Sequence, residues 1–400
     1  MRVAIFAESY LPYLSGVTVS TDALARGLGA LGHDVLVIAP RPAKGAGPGG
    51  AGSPGPEPRF AWMPSYQLPR IVPAGYRMPL PLPATRALRA AAAFRPQVVH
   101  AQSPFVSGLM ARRLARSGSA ALVFTHHTRF ADYRHYLGPL AEPGRQLTDA
   151  YLRRFWVGCD AVIAPSAGMA DEIRTRLGER GRPIVRVVPT GIDVDAIRAL
   201  TPVDPRRAAG WPPDAIVAVT FGRLAREKSV DVVLEATGEA ARRDDRLRLL
   251  VIGGGPAAAS LQRRAARPDL VGRVAFSGPL PRLEALAHAA GADLFAFASR
   301  TETQGLVLAE ALASGLPGVA VEGPGVADSI RHGIDGLVVP AEPVDGQAGR
   351  LADAMLTLVT DASRRIAMAR RASADAGRFD VRRRVSEIDA LYRELFGGAG

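Results

Sequence analysis

The stretch 298–317, ASRTETQGLVLAEALASGLP, constrains this chain more than any other. The apolar run at 293–298 (DLFAFA) predicts a buried strand, and a polar loop then leads into a helix that Gly315 and Pro317 would end. Within the loop, Gly305 permits a close approach of the backbone to a ligand. The first amides of the helix would be unpaired donors at the positive end of the helix dipole. The stretch therefore predicts a phosphate-type anion site at the start of a helix.

Two glutamates flank this predicted anion site, Glu302 in the loop and Glu310 inside the helix. Because they are well separated along the chain, the two carboxylates need not compete for one proton. Glu302 would meet hydroxyls just beyond the phosphates, and Glu310 would meet hydroxyls on the other side. A ligand with polyols flanking a diphosphate fits this arrangement, and a sugar nucleotide is such a ligand. Solvated charges at an ordinary helix entrance are the alternative interpretation.

The sequence ETQGLVLAEALASGLP closely resembles the donor-site motif of retaining glycosyltransferases of family 4, which have the two-domain GT-B fold. The resemblance implies that Glu302 contacts the donor sugar and is catalytic, and that Glu310 holds the ribose. It further implies that Gly305 and the amides of Leu306 and Val307 bind the distal phosphate. The match is specific because it extends over many positions and does not rest on the glutamates alone.

The first half of the chain opens as a strand, helix and strand, typical of a doubly wound domain. The loop after the first strand contains Gly16, which the resemblance places beside the diphosphate and the acceptor. A later strand runs into HHTRFADY, where family members have a histidine–threonine pair that a tyrosine often follows. The resemblance assigns His127 to catalysis and Thr128 and Tyr133 to the acceptor side. By alternation, His126 should face away.

A second strand–helix series begins at 215–222, and its first strand leads into GRLAREKSVD. Arg223 and Lys228 straddle a turn and would converge on a diphosphate, the arginine through its fork and the lysine as a point charge. Both match the family pattern, which implies catalytic and donor-binding roles for them and a donor-side position for Gly222. The turn containing Gly278 and Leu280 is where family members hold the base.

The chain is long enough for two domains of roughly 150 to 200 residues, each with its own core. We expect an N-terminal acceptor-side domain at 1–195, a donor domain at 196–375, and a C-terminal helix at 376–400 that returns to the first domain. The irregular, proline-containing segment 190–213 would be the linker. The expected fold is α/β, a GT-B arrangement of two doubly wound Rossmann-like domains that face a central cleft.

The formal net charge is +12, and most of it lies in the first half of the chain. Residues 1–195 carry a net charge of +10, and the remaining residues carry +2. This asymmetry predicts attraction to an anionic membrane surface. The cluster Arg112, Arg113 and Arg116 is either a membrane-facing patch or a favourable placement of cations at a helix C-terminus. We expect no nucleic-acid partner, because no recognised binding motif accompanies the arginines.

No apolar run reaches the length of about 18 residues that a transmembrane helix needs. The N-terminus, MRVAIFAESYLP, predicts a first core strand and not a signal peptide. The single cysteine, Cys159, cannot form an internal disulfide bond, which is typical of a cytosolic protein. We therefore expect a cytoplasmic protein that is peripheral at the inner face of the membrane.

The resemblance implies a retaining hexosyltransferase that uses a UDP- or GDP-hexose, with glucose or mannose as the sugar and a membrane glycolipid precursor as the acceptor. It implies no cofactor and no required metal ion, and the sequence offers no convincing cluster of metal ligands. A GDP-mannose-dependent enzyme acting on a polysaccharide or a small molecule remains open, as does a non-catalytic sugar-nucleotide-binding protein. A nicotinamide oxidoreductase is disfavoured because Gly16 stands alone, without a GxGxxG fingerprint.

Overall fold

The computed structural model describes residues 1–13, 15–43, 55–67, 76–80, 85–128, 141–178, 183–299, 302 and 304–397. The chain divides into two compact units. The first unit comprises Met1–Gly191 and Val381–Gly400, and the second comprises Ile192–Asp380. The boundaries expected from the sequence, after residues 195 and 375, lie a few residues from these.

Strands and helices alternate along most of the described chain. Up to the end of the first long segment they are β1 Arg2–Phe6, α1 Gly16–Ala30, β2 Asp34–Pro40, β3 Arg59–Met63, β4 Ser65–Tyr66, β5 Met78–Pro79, α2 Arg86–Phe94, β6 Val98–Ala101, α3 Val106–Gly118, β7 Ala121–Thr125, α4 Ala141–Trp156, β8 Ala161–Ala164, α5 Ala167–Leu177 and β9 Ile184–Val187. They continue as α6 Val194–Arg198, α7 Pro205–Ala209, β10 Ile216–Phe221, α8 Val230–Ala241, β11 Leu247–Ile252, α9 Ala258–Ala265, β12 Val274–Gly278, α10 Arg282–Ala290, β13 Leu294–Phe297, α11 Leu306–Ala313, β14 Gly318–Val321, α12 Pro324–Ala327, β15 Gly336–Val339, α13 Gln347–Thr360, α14 Ala362–Ala374 and α15 Val381–Gly397.

The described strands of the first unit form a parallel sheet of order β3-β2-β1-β6-β7-β8-β9, and β4 and β5 pair separately as an antiparallel ribbon. The strand order reverses between β1 and β6, which makes the carboxyl ends of these two strands the expected ligand crevice of this sheet. Helix α15 belongs to this unit, and its Tyr392 hydroxyl lies 2.5 Å from His100 Nδ1. His100 Nε2 lies 2.7 Å from the Thr125 hydroxyl. Buried polar contacts thus tie the last helix to the central strands.

The described strands of the second unit form a parallel sheet of order β12-β11-β10-β13-β14-β15. Apolar clusters cover both faces of this sheet, which explains why its strands are nearly continuous hydrophobic runs. The strand order reverses between β10 and β13, whose residues Val219 and Phe295 are partners in register. The crevice beyond the carboxyl ends of β10 and β13 is where such a sheet binds ligands.

Two expectations for local structure are wrong. The segment 190–213 is not an irregular linker, because α6 and α7 lie within it and Ile192, Val194 and Ile197 are buried in the second unit. Its prolines do not prevent helices, since Pro205 is at the first position of α7, where a missing amide costs nothing. Gly16 is not in the loop before α1 but is the first residue of that helix.

None of the helices within the described residues combines the length and the apolar content that crossing a membrane requires. The strand β3 was not anticipated. Tyr133 and most of the glycine- and proline-rich segment 41–58 lie outside the described residues.

Candidate active site

Glycines line the carboxyl edge of the second sheet, at the point where its strand order reverses. Gly222 follows β10, and Gly253 follows β11. Gly253 has a φ of +138°, and a Cβ atom there would lie 1.9 Å from the carbonyl oxygen of Gly222. Only glycine therefore fits at this position. The Gly253 amide donates to the carbonyl oxygen of Gly278, so the three turns form one continuous backbone edge.

The first turn of α11 meets this edge. Gly305 is the N-cap residue in the left-handed conformation, with a φ of +72°, and it offers no side chain to the helix amides. Among the described residues, none accepts a hydrogen bond from the amides of Leu306 and Val307. A Cβ atom at Gly222 would lie 3.8 Å from Val307 Cγ1. The structure thus brings together Gly222, Gly305, Leu306 and Val307, four of the predicted donor residues.

Glu302 and Lys228 are paired with each other. The Lys228 ammonium donates to Glu302 Oε1 across a partly exposed contact, in which the lysine side chain is 29% exposed and the glutamate side chain 19%. Lys228 ends a short 3₁₀ turn, Arg226–Lys228, that follows β10, whereas Glu302 follows β13. The two residues therefore approach each other from the two strands on either side of the reversal point.

Glu310 is bound by an arginine that the sequence did not single out. Nε of Arg282 donates to Glu310 Oε1 at 2.8 Å, and Nη2 of Arg282 lies 2.6 Å from the same oxygen. Glu310 is buried on α11, and Arg282 is the first residue of α10. The only sequence signal for this pair is a cation at the N-terminus of a helix, where the helix dipole disfavours it.

The remaining predicted donor residues of the second unit, Arg223, Gly278 and Leu280, lie at or just after the ends of strands of the same sheet but are less constrained. The Arg223 side chain is 53% exposed, and its Nη1 lies 3.9 Å from Glu227 Oε1. Gly278 has a φ of +73°, and Leu280 in the same turn packs against the core of the second unit. Arg223 can therefore swing towards an anion beyond β10, since its ionic partner among the described residues, Glu227, is 3.9 Å away.

His127 follows β7 in the first unit and contacts a neighbour that sequence reasoning missed. Its Nε2 lies 2.7 Å from Oε1 of Gln102, which follows β6 and is buried. Since a carboxamide oxygen accepts, this contact places a proton on Nε2. Burial lowers the pKa of His127 to about 4, so the imidazole is neutral near pH 7. The only sequence signal for Gln102 is that it is a polar residue directly after β6, at the carboxyl edge where His127 follows β7.

His126 points the other way, as its alternation with His127 predicts. Its ring packs edge-on against Phe124 and Trp156 in the core. Burial, helped by the nearby His127, lowers the pKa of His126 to about 3. Thr128 is half-buried next to His127, and Gly16 is exposed. The catalytic, donor-side and acceptor-side roles of these first-unit residues stay predictions.

Glu8, which the sequence analysis did not select, lies just beyond β1 at the reversal point of the first sheet. The Ser107 amide in the first turn of α3 donates to Glu8 Oε2 at 2.9 Å. Phe105, the N-cap residue of α3, makes no side-chain cap, so the glutamate serves in its place. Burial raises the pKa of Glu8 against the opposing effect of the Ser107 hydrogen bond.

The described residues contain no group of three or more His, Cys, Asp or Glu side chains that could hold a metal ion. The expectation that the reaction needs no metal stays a prediction.

Comparison with known proteins decides the family. The model of glycosyltransferase family 4 matches residues 14–196, and that of the glycosyl transferases group 1 matches residues 215–361. A GDP-mannose-dependent α-mannosyltransferase of Mycobacterium tuberculosis is 33% identical over 93% of this chain and 91% of its own. The chain belongs to glycosyltransferase family 4. An α-monoglucosyldiacylglycerol synthase of Acholeplasma laidlawii is 30% identical over 79% of each chain.

The comparison with solved structures shows the fold. Sucrose-phosphate synthase from Thermosynechococcus elongatus superposes with a TM-score of 0.76 at 18% identity, covering 99% of both chains. The expected GT-B fold is confirmed, and the family 4 protein is a hexosyltransferase.

Proposed function

We propose that this protein transfers glucose or mannose from a nucleoside diphosphate sugar to a hydroxyl of a membrane glycolipid precursor, with retention of configuration. One observation carries the proposal. Glu302, Lys228, Glu310 and the open amides of α11 converge on the carboxyl edge of the second sheet, where its strand order reverses. These cations, amide donors and carboxylates are the kinds of group that a diphosphate between two polyols requires.

The donor would lie along this edge with its diphosphate against the amides of Leu306 and Val307. Lys228 and Arg223 would stabilise the negative charge that develops as the bond between the sugar C1 and the phosphate oxygen breaks. The electron pair of that bond goes to the phosphate oxygen. Glu302 would accept hydrogen bonds from the sugar hydroxyls, and Glu310 would do so from the ribose.

Retention follows if the acceptor oxygen attacks C1 from the face that the phosphate leaves. The acceptor hydroxyl loses its proton to the departing phosphate oxygen as the new C–O bond forms, so no protein nucleophile is required. In the first unit, a neutral His127 is suited to hydrogen bonding with a sugar hydroxyl and not to acting as an acid near pH 7. Thr128 is assigned to the acceptor side.

The relatives support a lipid acceptor without fixing the donor. The name of the Acholeplasma relative indicates a glucosylated diacylglycerol product, whereas that of the Mycobacterium relative indicates GDP-mannose as donor. A mannosyltransferase acting on a polysaccharide or a small molecule is therefore the second candidate. A silent sugar-nucleotide sensor would keep the donor site and lack turnover.

Attachment to the inner face of an anionic membrane forms part of the proposal. Arg112, Arg113 and Arg116 of α3 line a surface groove together with Arg154 of α4 and the half-exposed Leu109. Burial and the charges of Arg116 and Arg154 lower the pKa of Arg112, so these cations repel one another and an anionic headgroup would relieve the repulsion. About 1 kcal/mol for each basic residue near the surface is enough for reversible attachment.

The deciding assay incubates the protein with radiolabelled UDP-glucose and GDP-mannose, each with vesicles that contain diacylglycerol or phosphatidylinositol. We expect a labelled lipid from one donor, and NMR should show that its anomeric configuration matches that of the donor. Glu302→Gln should reduce labelling by about 10²-fold, while the matched control Glu235→Gln on α8 should not. Binding of a nucleotide sugar without any product would support the sensor instead, and inversion would refute retention.

Membrane attachment is tested separately by co-sedimentation with neutral and anionic vesicles at low and high salt. The Arg→Ser triple variant at 112, 113 and 116 should lose binding to anionic vesicles. A control triple variant at Arg86, Arg89 and Arg95 removes the same charge from the region of α2 and should bind like the wild type. Equal binding of wild type to both kinds of vesicle, or to neither, would move the acceptor assignment towards soluble substrates.

A further inference from the structure

The contact between Arg282 and Glu310 is one-sided. A guanidinium fork usually gives one nitrogen to each carboxylate oxygen. Here both Nε and Nη2 of Arg282 approach Oε1 of Glu310. Within the described part of the chain, Oε2 of Glu310 has no hydrogen-bond partner, and the Glu310 side chain is 11% exposed. One carboxylate oxygen is held by the protein, and the other is left to accept from a ligand.

The position of Arg282 is costly for its own helix. Arg282 is the first residue of α10, and its N-cap residue, Pro281, gives the helix no side-chain cap. A cation at this end opposes the helix dipole. The contact with Glu310 offsets that cost and joins the turn after β12 to α11. This turn contains Gly278, whose carbonyl oxygen is bonded to the glycine edge of the site.

We infer that Arg282 is a positioning residue for the ribose of the donor: it fixes the orientation of the Glu310 carboxylate so that Oε2 faces the ribose hydroxyls. This inference rests on the proposed function, because it requires a nucleotide at this edge. Arg282 acts through Glu310 and needs no contact with the ligand. Its removal would leave Glu310 in place but free to rotate, with a charge that has lost its partner.

Calorimetry with two pairs of nucleotides tests the inference. The probes are UDP and GDP, each compared with its 2′,3′-dideoxy form, which lacks the hydroxyls that Glu310 would bind. Wild-type protein should bind the tighter-binding diphosphate about tenfold better than its dideoxy form, as expected for hydrogen bonds to a charged group. In Arg282→Ala this ratio should fall close to one, with little change in affinity for the dideoxy form.

The matched control is Arg264→Ala. Arg264 pairs with Glu235 on α8 and is also mostly buried, but it lies in the last turn of α9, which leads back towards the amino ends of the strands. This variant should lose stability and keep the wild-type ratio. A merely structural Arg282 would behave in the same way or would weaken binding of both nucleotides equally, and either result overturns the inference.

Two further outcomes are informative. If thermal denaturation shows that Arg282→Ala is not folded, Arg282→Lys takes its place in the test, because an ammonium keeps the charge without the fork of two nitrogens. A reduced ratio in this variant supports the inference, and an unchanged ratio overturns it. If wild-type protein binds neither UDP nor GDP, the proposed function itself fails, and this result is distinct from binding with an unaltered ratio.

Discussion

The ion pair between Lys228 and Glu302 implies that Glu302→Gln should tighten the binding of a sugar-free nucleoside diphosphate while it damages turnover. The Lys228 ammonium donates to Glu302 in the structure. A diphosphate that binds at the glycine edge must compete with that carboxylate for the same cation. Glutamine keeps the size of the side chain and removes the competing charge. The nucleoside diphosphate lacks the sugar, so it loses no contact with residue 302.

The magnitude follows from the exposure of the pair. At an effective dielectric constant of about 20, two unit charges about 4 Å apart attract by about 4 kcal/mol, but desolvation and side-chain ordering cancel most of this. Because the two side chains are 29% and 19% exposed, we take the upper part of the range for exposed pairs, about 1 kcal/mol. Removing this competition should lower the dissociation constant of the diphosphate about fivefold.

The assay is calorimetric titration with the diphosphate of the active donor, together with steady-state turnover of the full donor. Glu302→Gln should reduce turnover by about 10²-fold, which is the usual cost of losing one preorganised contact. Glu310→Gln should behave differently and weaken binding of the diphosphate, because the ribose is common to diphosphate and donor. Comparing the two variants separates the sugar end of the site from the ribose end.

A double-mutant cycle isolates the competition. In a Lys228→Ala background there is no cation to compete for, so adding Glu302→Gln should leave diphosphate affinity unchanged. If Glu302→Gln weakens binding of the diphosphate as much as Glu310→Gln does, the assignment of the two glutamates is wrong. If it tightens binding equally with and without Lys228, the effect is general charge repulsion and not competition within the pair.

The remaining predictions concern charge and pH. Arg223→Ala and Lys228→Ala should each lower turnover by about 10²-fold and the double variant further, and wild-type rates in both single variants would place the diphosphate elsewhere. His100 has a pKa of about 3 because of burial, against 6.5 when unfolded, so the unfolded chain binds more protons between these values and stability should fall as the pH drops from 6.5 to 3. Thermal denaturation against pH should show a shallower slope for His100→Gln, by about 1.4 kcal/mol per pH unit, and an unchanged slope would refute this account.

Local patterns in the sequence anticipated most of the fold. The run that forms β13 and the glycine stop after α11 lie where the apolar periodicity and Gly315 predict them. The helices α6 and α7 were not anticipated, because prolines near a domain boundary resemble a linker until burial is known. Asp193 caps α6, and Ile197 is buried in the second unit, which only the folded unit can reveal.

The residue types of the proposed donor site could be predicted from the sequence, but their partners could not. The glycines and the two glutamates stand out in a short stretch, whereas their cations come from other elements. Lys228 was predicted to bind the diphosphate, and in the structure it pairs with Glu302. Arg282 lies far from Glu310 in the sequence, and only the packing of α10 against α11 brings the two together. In the first unit, Gln102 meets His127 because β6 and β7 are adjacent, which the sequence order alone does not establish.

Both carboxylates of the proposed donor site are paired with a cation, and the two pairs should respond differently to the binding of a nucleotide. Lys228 must turn from Glu302 towards the diphosphate, so its contact is exchanged. Arg282 can stay on Oε1 of Glu310 while Oε2 accepts the ribose, so its contact is kept. Because Lys228 exchanges one anionic partner for another, its number of charge contacts is unchanged and it adds little affinity. Because Arg282 stays on Glu310, the hydrogen bonds between the ribose hydroxyls and Glu310 add to the affinity in full. Binding strength should accordingly come from the nucleoside end, which leaves the contacts of Glu302 and Lys228 for the transition state, where they raise the rate.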